Sequence, residues 1–522
     1  MAATGLTRAI VPTAVLTSLV TFAPLATVTT PAAGASGATK VTNGCITSVP
    51  DPGTAEPVEI CFTLFKPAGA SAKHKVPTIL HSHGWGGSRT TDPAAFQQWL
   101  DAKYGVLSFD QRGFGESGGT AQVENPDVEG HDVRALVDLV ASKRWVRKDA
   151  PGDPRLGAIG GSYGGGYQFL GAFEELRLRG KPVFDALAPE ITWNDLNRSL
   201  APEGVVRTEW ALALAAAGLP TQALSPAVYQ ALVQGAATGF WPDGSLPVPG
   251  TPNMQQFFER NGPRYHVSQG RRLDIPVLFG QGTTDSLFNL QQGLDNWRTA
   301  ITRKARRHSI FVGYNGGHVL PAVYPTGVNV TSDPCSQKLA GGDFARLALR
   351  FMNENLKRRD TGLRGYGKLH LATPASTCTT VKRVTADTEV PVGTVATTET
   401  GGAALAFPVA TGPIRIAGSA YLTGTLTAFG LNNRAFYGLG VGSTPLDASL
   451  VQNNVMPLNT LAPVVGEPRR IELPAVAVDV PAGKTLYVIA SPVSETFVGM
   501  GSRTPGAVIL QDTVAHLPVV GN

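Results

Sequence analysis

The chain has 522 residues, 43% of them hydrophobic and 16% charged, a composition that is typical of a folded globular protein and excludes a disordered chain. At roughly 100–200 residues per domain, this length predicts two or three domains. The formal net charge of +5 is small, and the densest basic cluster, at residues 303–307, has the pattern of a solvated helix end. The charge distribution therefore does not support nucleic-acid binding.

The first 35 residues have the pattern of a secretory signal peptide. Arg8 supplies a short basic start, an apolar stretch follows over residues 9–26, and a small-x-small site ends at Ala35. A membrane anchor is the alternative, but the stretch is shorter than the ~20 apolar residues that a span needs and is interrupted by prolines. We therefore expect a secreted protein that starts near Ser36 and has no stable membrane insertion.

Four cysteines follow this leader, at positions 45, 61, 335 and 378. An even number of cysteines in an exported chain favours disulfides. Three pairings are possible, and we predict the two most local bonds, Cys45–Cys61 and Cys335–Cys378. Metal ligation is the alternative, but the sequence has no C-x-x-C motif and no paired histidine spacing to support it. We expect neither a metal nor another cofactor.

Short apolar segments alternate with helical patterns over the first two thirds of the chain. Helical spacing is found at residues 93–104, 130–143 and 343–357. Because parallel strands that are connected by helices form a sheet covered on both faces, the alternation predicts an α/β fold. The predicted buried strands lie at residues 76–81, 105–109, 156–159, 275–280 and 309–312.

Two regions depart from this alternation. Residues 197–268 are rich in Ala and Leu and are punctuated by Pro, which predicts a helical insertion. Loops at the carboxyl ends of strands build the site in α/β folds, so we interpret the insertion as a cap over that site. After about residue 365 the chain contains strand-like runs separated by Gly, Pro and Asn turns, which predict a β-sandwich or jelly roll. The expected organisation is a signal peptide at 1–35, a catalytic domain at 36–365 and a β domain at 366–522.

The segment GGSYG at residues 160–164 fits the pattern G-x-S-x-G. It directly follows a predicted strand and directly precedes a predicted helix, which is the context of a nucleophile turn in α/β-hydrolases. The turn lifts the serine hydroxyl above the sheet edge, and the residues two before and two after the serine approach closely, so both must be Gly. The context therefore predicts Ser162 as a nucleophile.

In α/β-hydrolases the acid and then the histidine follow the serine in the chain. Asp285 comes after the strand at 275–280, and His318 lies in the loop after the last core strand. A serine hydroxyl needs a base to take its proton, and the base needs a carboxylate to orient it. We predict His318 as the base and Asp285 as the orienting acid. The alternatives, which precede their strands or lie within a helix, are His308, Asp274 and Asp295.

An oxyanion hole requires backbone N–H donors close to the serine. One donor is expected at Tyr163, directly after the nucleophile, and a second in the loop HGWG at residues 83–86, where we favour Trp85. The loop DQRGFGES at residues 110–117 follows another strand at the same sheet edge. We interpret it as a support for the site without a direct catalytic role.

Together these motifs resemble those of the Xaa-Pro dipeptidyl-peptidase and cocaine-esterase family. They are HGWGGS, DQRGFGES, GGSYGGG and DALAPEITWNDL, with Asp285 and His318. The resemblance implies an α/β-hydrolase domain with a helical cap, a C-terminal jelly-roll-like β domain, and triad roles for Ser162, Asp285 and His318. Some family members use a Tyr hydroxyl in the loop after the early strand as an oxyanion donor. This chain has Trp85 there, so a backbone donor is expected.

These features predict a secreted, metal-independent serine esterase or peptidase that forms an acyl-enzyme with a small-molecule ester or peptide. The alternative within enzymes is proline-specific removal of N-terminal dipeptides, which needs an acidic group to hold the substrate ammonium; Glu190, Asp195 and Glu203 are the candidates. The alternative from another class is a catalytically inert secreted binding protein, and the intact triad argues against it. No nucleic-acid partner is expected, and no oligomeric state follows from the sequence.

Overall fold

The computed structural model describes residues 38–243, 252–320, 325 and 327–521. The first domain is built on a large sheet whose central strands are short apolar segments; β4, for example, is buried at every position. Its strands are β1 (Lys40–Ser48), β2 (Val58–Lys66), β3 (Thr78–Ser82), β4 (Gly105–Phe109), β5 (Lys148–Ala150), β6 (Asp153–Pro154), β7 (Leu156–Gly161), β8 (Phe184–Glu190), β9 (Leu278–Gly282), β10 (Ile310–Tyr314), β11 (Leu369–Ala372) and β12 (Cys378–Val381), of which β5 and β6 form a separate hairpin.

The ten strands of the large sheet lie in the order β1-β2-β4-β3-β7-β8-β9-β10-β11-β12. The strands from β4 through β11 in this order are parallel, whereas β1, β2 and β12 are antiparallel to their neighbours. Because the carboxyl ends of parallel strands meet at one edge, the loops after β3, β7, β9 and β10 are brought together. These loops carry Trp85, Ser162, Asp285 and His318.

Helices cover both faces of this sheet, as expected for an α/β fold. Side chains alternate between the faces of a strand: Ile79 of β3 packs in the apolar cluster that contains Phe351, and the next residue, Leu80, in the cluster that contains Phe173. The helices are α1 (Gln97–Asp101), α2 (Glu129–Ser142), α3 (Tyr163–Arg179), α4 (Leu196–Leu200), α5 (Thr208–Gly218), α6 (Pro226–Thr238), α7 (Met254–Glu259), α8 (Pro263–Ser268), α9 (Leu290–Asp295), α10 (Arg303–Arg307), α11 (Pro334–Ala340) and α12 (Phe344–Lys357).

The helical insertion lies between β8 and β9 and contains α4 to α8. Its apolar residues, among them Trp210 of α5 and Leu232 of α6, form one buried cluster with Tyr163, the residue that follows the candidate nucleophile. Burial of such side chains is the main force that holds one layer on another. The insertion is therefore packed onto the part of the first domain that carries the nucleophile turn.

The second domain is a sandwich of antiparallel sheets. One sheet has the order β13-β23-β16-β20, the other has the order β14-β22-β17-β18 with β19 also paired to β17, and β15 pairs with β21. Leu422 and Leu510 from the first sheet pack with Val488 from the second in a common core. The strands are β13 (Thr388–Ala396), β14 (Leu405–Thr411), β15 (Ile414–Gly418), β16 (Tyr421–Ala428), β17 (Asn433–Gly442), β18 (Ser449–Leu450), β19 (Met456–Thr460), β20 (Val464–Glu472), β21 (Val476–Val480), β22 (Thr485–Ser491) and β23 (Val508–Leu517).

The large sheet continues beyond residue 365, where we expected the catalytic domain to end. β11 is parallel to β10, with Phe311 opposite Leu369, and β12 is antiparallel to β11. The first domain therefore extends to Val381, and the β domain begins with β13. Two short strands without an intervening helix have the same local pattern as the β domain, and only their long-range pairing assigns them to the first sheet.

The β domain contacts the cap through two buried arginines. Arg434 of β17 donates from Nη2 to the carbonyl oxygen of Gly239, which ends α6, at 2.8 Å. Arg207, just before α5, stacks over the ring of Phe497 at 4.6 Å. Each guanidinium is buried, and its contacts with an aromatic ring or a carbonyl oxygen partly offset the loss of hydration. The β domain thereby supports both of the longest cap helices.

Two disulfides are present, Cys45–Cys61 between β1 and β2 and Cys335–Cys378 between α11 and β12. The first bond links residues that lie directly opposite each other in the antiparallel pair.

The signal peptide expected at residues 1–35 lies outside the described residues. Within the described ranges, every helix is too short or too polar to span a membrane.

Candidate active site

Ser162 lies on the turn between β7 and α3. Its backbone has φ 57° and ψ −120°, a conformation that residues with a side chain rarely adopt. The turn is held in place because the Ser162 N–H donates to the carbonyl oxygen of Glu190 in the neighbouring strand, at 3.0 Å. Strain at this position is consistent with a functional role, because the surrounding contacts must maintain it.

The two glycines that flank the turn are required by close backbone contacts. A Cβ atom at Gly160 would lie 2.6 Å from the carbonyl oxygen of Gly164, and a Cβ atom at Gly164 would overlap the carbonyl oxygen of Ser82. Gly160 also has φ 141°, which favours glycine. The structure therefore contains the close approach that we expected for the residues two before and two after the serine.

The structure brings Ser162, His318 and Asp285 into one hydrogen-bonded chain. Nε2 of His318 is 2.8 Å from Oγ of Ser162, and Nδ1 of the same ring is 2.7 Å from Oδ2 of Asp285. Nδ1 carries the proton when Asp285 accepts from it, which leaves Nε2 free to accept the serine proton. The three side chains therefore have the geometry of a nucleophile, a base and an orienting acid.

Asp285 is completely buried, and its carboxylate accepts four hydrogen bonds. Oδ1 accepts from the backbone N–H groups of Leu287 and Phe288, at 2.9 and 2.6 Å, and Oδ2 accepts from the backbone N–H of His318 at 3.0 Å as well as from its ring. A Cβ atom at Gly317 would lie 2.6 Å from Cβ of Asp285. The glycine thus allows the histidine loop to approach the acid.

Two aromatic rings hold the imidazole of His318. Trp210 of the cap and Phe288 of the loop after β9 meet it edge-on, with ring centroids 5.7 and 5.1 Å away. Ser286 donates from its hydroxyl to the His318 carbonyl oxygen at 3.1 Å and accepts from the Trp210 indole at 3.0 Å. The imidazole is therefore fixed by the cap as well as by the acid.

The two expected oxyanion donors lie beside the serine. A Cβ atom at Gly84, the neighbour of Trp85, would be 3.6 Å from Cβ of Ser162. Within the described part of the chain, the backbone N–H groups of Tyr163 and Trp85 donate to no other residue. The Trp85 indole donates to the carbonyl oxygen of Leu214 in α5, at 2.9 Å, which connects this loop to the cap.

A cavity of about 50 Å³ opens beside Ser162, between the cap and the sheet edge. Among the described residues, every lining side chain other than Ser162 is aliphatic or aromatic. The cap contributes Leu214, Val228 and Leu232, and Phe288 also lines the wall. The site thus combines a polar catalytic group with an apolar binding surface, the usual composition of a small-molecule site.

The three acidic residues considered for ammonium binding do not line this cavity. Glu190 accepts from the Tyr314 hydroxyl at 3.2 Å, and burial raises the pKa of its carboxyl to about 7. Asp195 caps α4 and pairs with Arg264 at 2.7 Å. Glu203 is exposed. None of the three is therefore placed to bind a charged group next to the serine.

The alternative triad residues have other roles. His308 is exposed at the end of α10, the helix formed by the basic cluster. Asp274 accepts from Nζ of Lys304 at 2.8 Å, and Asp295 accepts from Gln291 at 2.7 Å. None of them forms a hydrogen bond with the candidate triad within the described part of the protein.

The loop DQRGFGES forms a network of ion pairs and backbone hydrogen bonds. Asp110 accepts from the backbone N–H of Glu116 at 3.0 Å, while the fully buried Arg112 pairs with Asp132 at 2.7 Å and with Asp51 at 2.8 Å. These contacts fix the loop, as expected for a supporting segment.

The described residues contain no cluster of His, Cys, Asp or Glu that could hold a metal ion.

Apart from Ser162, Tyr163 and Trp85, sequence reasoning did not identify the residues that surround His318 and the cavity. Trp210 lies in the segment EWALALAAAGL, whose pattern predicts a helix but does not distinguish the face that meets the triad. Its contact with His318 connects residues that are far apart in the chain. A tryptophan in a helix that is otherwise rich in Ala and Leu is the available signal, and it is equally consistent with a core position.

The fold and the site define a hydrolase of the α/β type. The sequence model of the X-Pro dipeptidyl-peptidase (S15) family matches residues 56–319, about half of the chain, and the protein belongs to this family. Two Escherichia coli relatives, each described as an uncharacterized 31.7 kDa protein of the traX-finO intergenic region, are 30% identical over 122 residues. These residues are 23% of this chain, and they span 40% of the length of those relatives.

Solved structures of low sequence identity share the whole fold. A CocE/NonD family hydrolase from Staphylococcus aureus superposes with a TM-score of 0.60 at 13% identity, over 92% of this chain and 97% of that one. An aminopeptidase from a marine-sediment Thaumarchaeota archaeon gives 0.62 at 12% identity, over 95% and 98%. An alpha-amino acid ester hydrolase gives 0.57 at 12% identity, over 94% and 98%. These likenesses confirm the predicted combination of an α/β-hydrolase domain and a β domain.

Proposed function

We propose that this protein is a secreted serine hydrolase that cleaves an ester or peptide bond through an acyl-enzyme on Ser162. The observation that carries the proposal is the hydrogen-bonded chain from Oγ of Ser162 through the ring of His318 to the buried carboxylate of Asp285. A serine hydroxyl is a weak nucleophile by itself, and this arrangement activates it.

In the acylation step, Oγ of Ser162 attacks the carbonyl carbon of the substrate while its proton moves to Nε2 of His318. Asp285 stabilises the imidazolium that forms. The tetrahedral intermediate places its negative oxygen near the backbone N–H groups of Tyr163 and Trp85. When the intermediate collapses, the bond to the leaving group breaks and His318 gives its proton to the departing oxygen or nitrogen.

In the deacylation step, water replaces the leaving group. His318 takes a proton from the water as the oxygen attacks the acyl carbon, and the second tetrahedral intermediate uses the same oxyanion donors. Collapse breaks the bond between the acyl carbon and Oγ of Ser162, the proton returns to Oγ, and the carboxylic acid is released. The cycle consumes one water and needs no oxidant, reductant or metal.

Secretion is the second part of the proposal. The leader pattern of residues 1–35 and the two disulfides support it, because disulfides form in oxidising compartments. N-terminal sequencing of material recovered from the medium of the producing cell should then give a start near Ser36. Secreted material that still began at Met1 would contradict cleavage near Ala35.

A fluorophosphonate probe tests the catalytic part, because it forms a covalent bond only with an activated serine. We expect stoichiometric labelling of the wild type and no labelling of Ser162→Ala. A matched control is Ser142→Ala, since Ser142 is exposed on α2 and its hydroxyl donates to the Leu139 carbonyl oxygen, away from the candidate triad. Equal labelling of the wild type and Ser162→Ala would overturn the proposal.

Removal of N-terminal dipeptides is the alternative that the family description favours. It requires a carboxylate to bind the substrate ammonium, and Glu190, Asp195 and Glu203 are not among the residues that line the cavity. A panel of p-nitrophenyl acyl esters alongside Gly-Pro and Ala-Pro anilides separates the two activities. Turnover of the anilides at a rate comparable with the esters would favour the peptidase.

A further inference from the structure

Among the described residues, no charged side chain lines the cavity beside Ser162. The two tryptophans in its wall already use their indole N–H groups: Trp85 donates to the Leu214 carbonyl oxygen at 2.9 Å, and Trp193 to the Asn261 carbonyl oxygen at 2.6 Å. The other described lining residues, apart from Ser162 and Tyr163, have aliphatic or phenyl side chains. Apart from the two indoles, the polar side-chain groups of the lining residues are the hydroxyls of Ser162 and Tyr163, and neither carries a charge that could pair with an ammonium.

In the described part of the chain, no acidic side chain is part of the cavity wall, and Glu124, a buried carboxyl without a hydrogen-bond partner, lines a second cavity that shares Trp193 with the first. The chain has 39 Asp and Glu residues, and all of them fall within the described ranges, because the remaining segments contain neither residue type in the sequence. None of the 39 lines the cavity. An ammonium group that leaves water for such a surface loses its hydration without a partner, which is strongly unfavourable, whereas an alkyl or phenyl group gains free energy from the same transfer.

The size of the cavity indicates the size of the group that it suits. Its volume is about 50 Å³. A buried water occupies roughly 10–15 Å³ of such a cavity, so the space corresponds to about four waters, which is roughly the size of four to six carbon atoms. A short alkyl chain or a single phenyl ring has this size.

We propose that the enzyme hydrolyses esters of neutral, apolar carboxylic acids with roughly four to six carbons, or a single phenyl ring, and that the cavity holds the acyl group. The inference rests on the proposed acyl-enzyme at Ser162 and names its substrate class. The acyl group stays bonded to Oγ of Ser162 through both steps, whereas the alcohol leaves after the first. Because the cavity lies between the serine and the cap helices, we assign it to the acyl group, which stays on the enzyme through both steps.

A matched pair of esters tests the charge selectivity in the wild type. Ethyl pentanoate and norvaline ethyl ester have the same carbon chain and leaving group, and they differ only in the α-ammonium. We expect kcat/KM, normalised to the rate of hydroxide hydrolysis, to be at least about 100-fold higher for the neutral ester. Among straight-chain acyl esters, kcat/KM should rise about fourfold per methylene until the cavity is full, and then fall.

Two substitutions in α6 test the assignment of the cavity. Val228 and Leu232 are buried one helical turn apart and both line it. Leu232→Ala should move the preferred acyl chain to longer esters, and Val228→Phe should move it to shorter ones. Val233→Ala is the matched control, because Val233 is 55% exposed on the same helix and should keep the wild-type preference. Rates are referred to the fraction of enzyme that a fluorophosphonate labels, so partial misfolding does not affect the comparison.

The outcomes separate the two proposals. A labelled, active enzyme that prefers norvaline ethyl ester, or whose rate follows the length of the alcohol instead of the acyl chain, would overturn the substrate assignment and leave the acyl-enzyme intact. Unchanged chain-length preference in both α6 variants would also overturn it. A wild type that neither reacts with the probe nor hydrolyses any ester would overturn the proposed function and this inference together.

Discussion

Trp210 of the cap lies edge-on against the imidazole of His318, with the ring planes at 89° and the centroids 5.7 Å apart. Its indole N–H donates to Ser286, whose hydroxyl donates in turn to the carbonyl oxygen of His318. The cap therefore contacts both the ring and the backbone of the proposed base. We propose that this relationship gives the cap a positioning role in addition to its contribution to the cavity wall.

Trp210→Ala should lower kcat by roughly 10- to 100-fold with a smaller change in KM, because a displaced imidazole no longer accepts the serine proton in the right geometry. Trp241→Ala is the matched control. Trp241 is also a buried cap tryptophan, with its indole bonded to Asn197 and its ring stacked on Phe258, but it does not contact His318. Steady-state kinetics at known active-site concentration measures both variants. Equal losses of kcat in the two would contradict the positioning role.

Asp285→Asn should reduce kcat on the order of 10⁴-fold, the scale known for the same change in another triad enzyme, because the amide favours the wrong imidazole tautomer. His318→Ala should be at least as damaging, since base and nucleophile act as one unit. His308→Ala is the control, because His308 is exposed and distant from the triad contacts. An inactive His308→Ala together with an active His318→Ala would refute our assignment of the base.

The two disulfides should stabilise the fold to different extents. They close loops with sequence separations of 16 and 43 residues. In the chain-entropy description, loops of these lengths correspond to about 3 and about 4 kcal/mol, respectively. We expect the Cys335→Ala, Cys378→Ala double variant to lose more unfolding free energy in urea than the Cys45→Ala, Cys61→Ala variant. Free thiols in a non-reducing peptide map of the wild type would contradict the pairing itself.

The carboxyl of Glu190 should make the stability of the protein depend on pH. Burial raises its pKa from 4.5 to about 7. Between these two values the folded protein holds a proton that the unfolded chain has lost, so the free energy of unfolding falls as the pH rises through this range, by up to about 3 kcal/mol. Urea unfolding at several pH values from 4 to 8 measures the decrease.

Glu190→Gln should make this pH profile flatter, since the amide does not titrate and can still accept from the Tyr314 hydroxyl. Glu399→Gln is the matched control, because Glu399 is exposed in the β domain. It should retain the pH dependence of the wild type. Parallel profiles for the wild type and Glu190→Gln would show that another group is responsible for the decrease.

The sequence predicted the parts of the site that depend on local backbone geometry. Ser162 could be identified because the strand, the two glycines and the helix that the turn needs are adjacent in the chain. Asp285 and His318 were predicted from the chain order and the carboxyl ends of their strands, and the structure brings all three together. These positions can be predicted because each lies in or directly after a short segment whose own sequence indicates its local structure.

Features that depend on long-range packing could not be predicted in the same way. The assignment of β11 and β12 to the first sheet follows from their pairing with β10, and local sequence does not determine such a partner. The apolar wall formed by Val228 and Leu232 likewise depends on how the cap docks. A helix with apolar residues on several faces does not reveal which face covers a site.

The most direct test of the account is to trap the acyl-enzyme. Wild-type protein mixed with excess p-nitrophenyl pentanoate and quenched in acid should show an intact mass increased by one pentanoyl group, and peptide mapping should place this group on Ser162. Asp285→Asn should retain the adduct if deacylation is slowed as well, and Ser162→Ala should show none. Hydrolysis by the wild type without any adduct, together with full activity of Ser162→Ala, would contradict the central claim that Ser162 is the nucleophile.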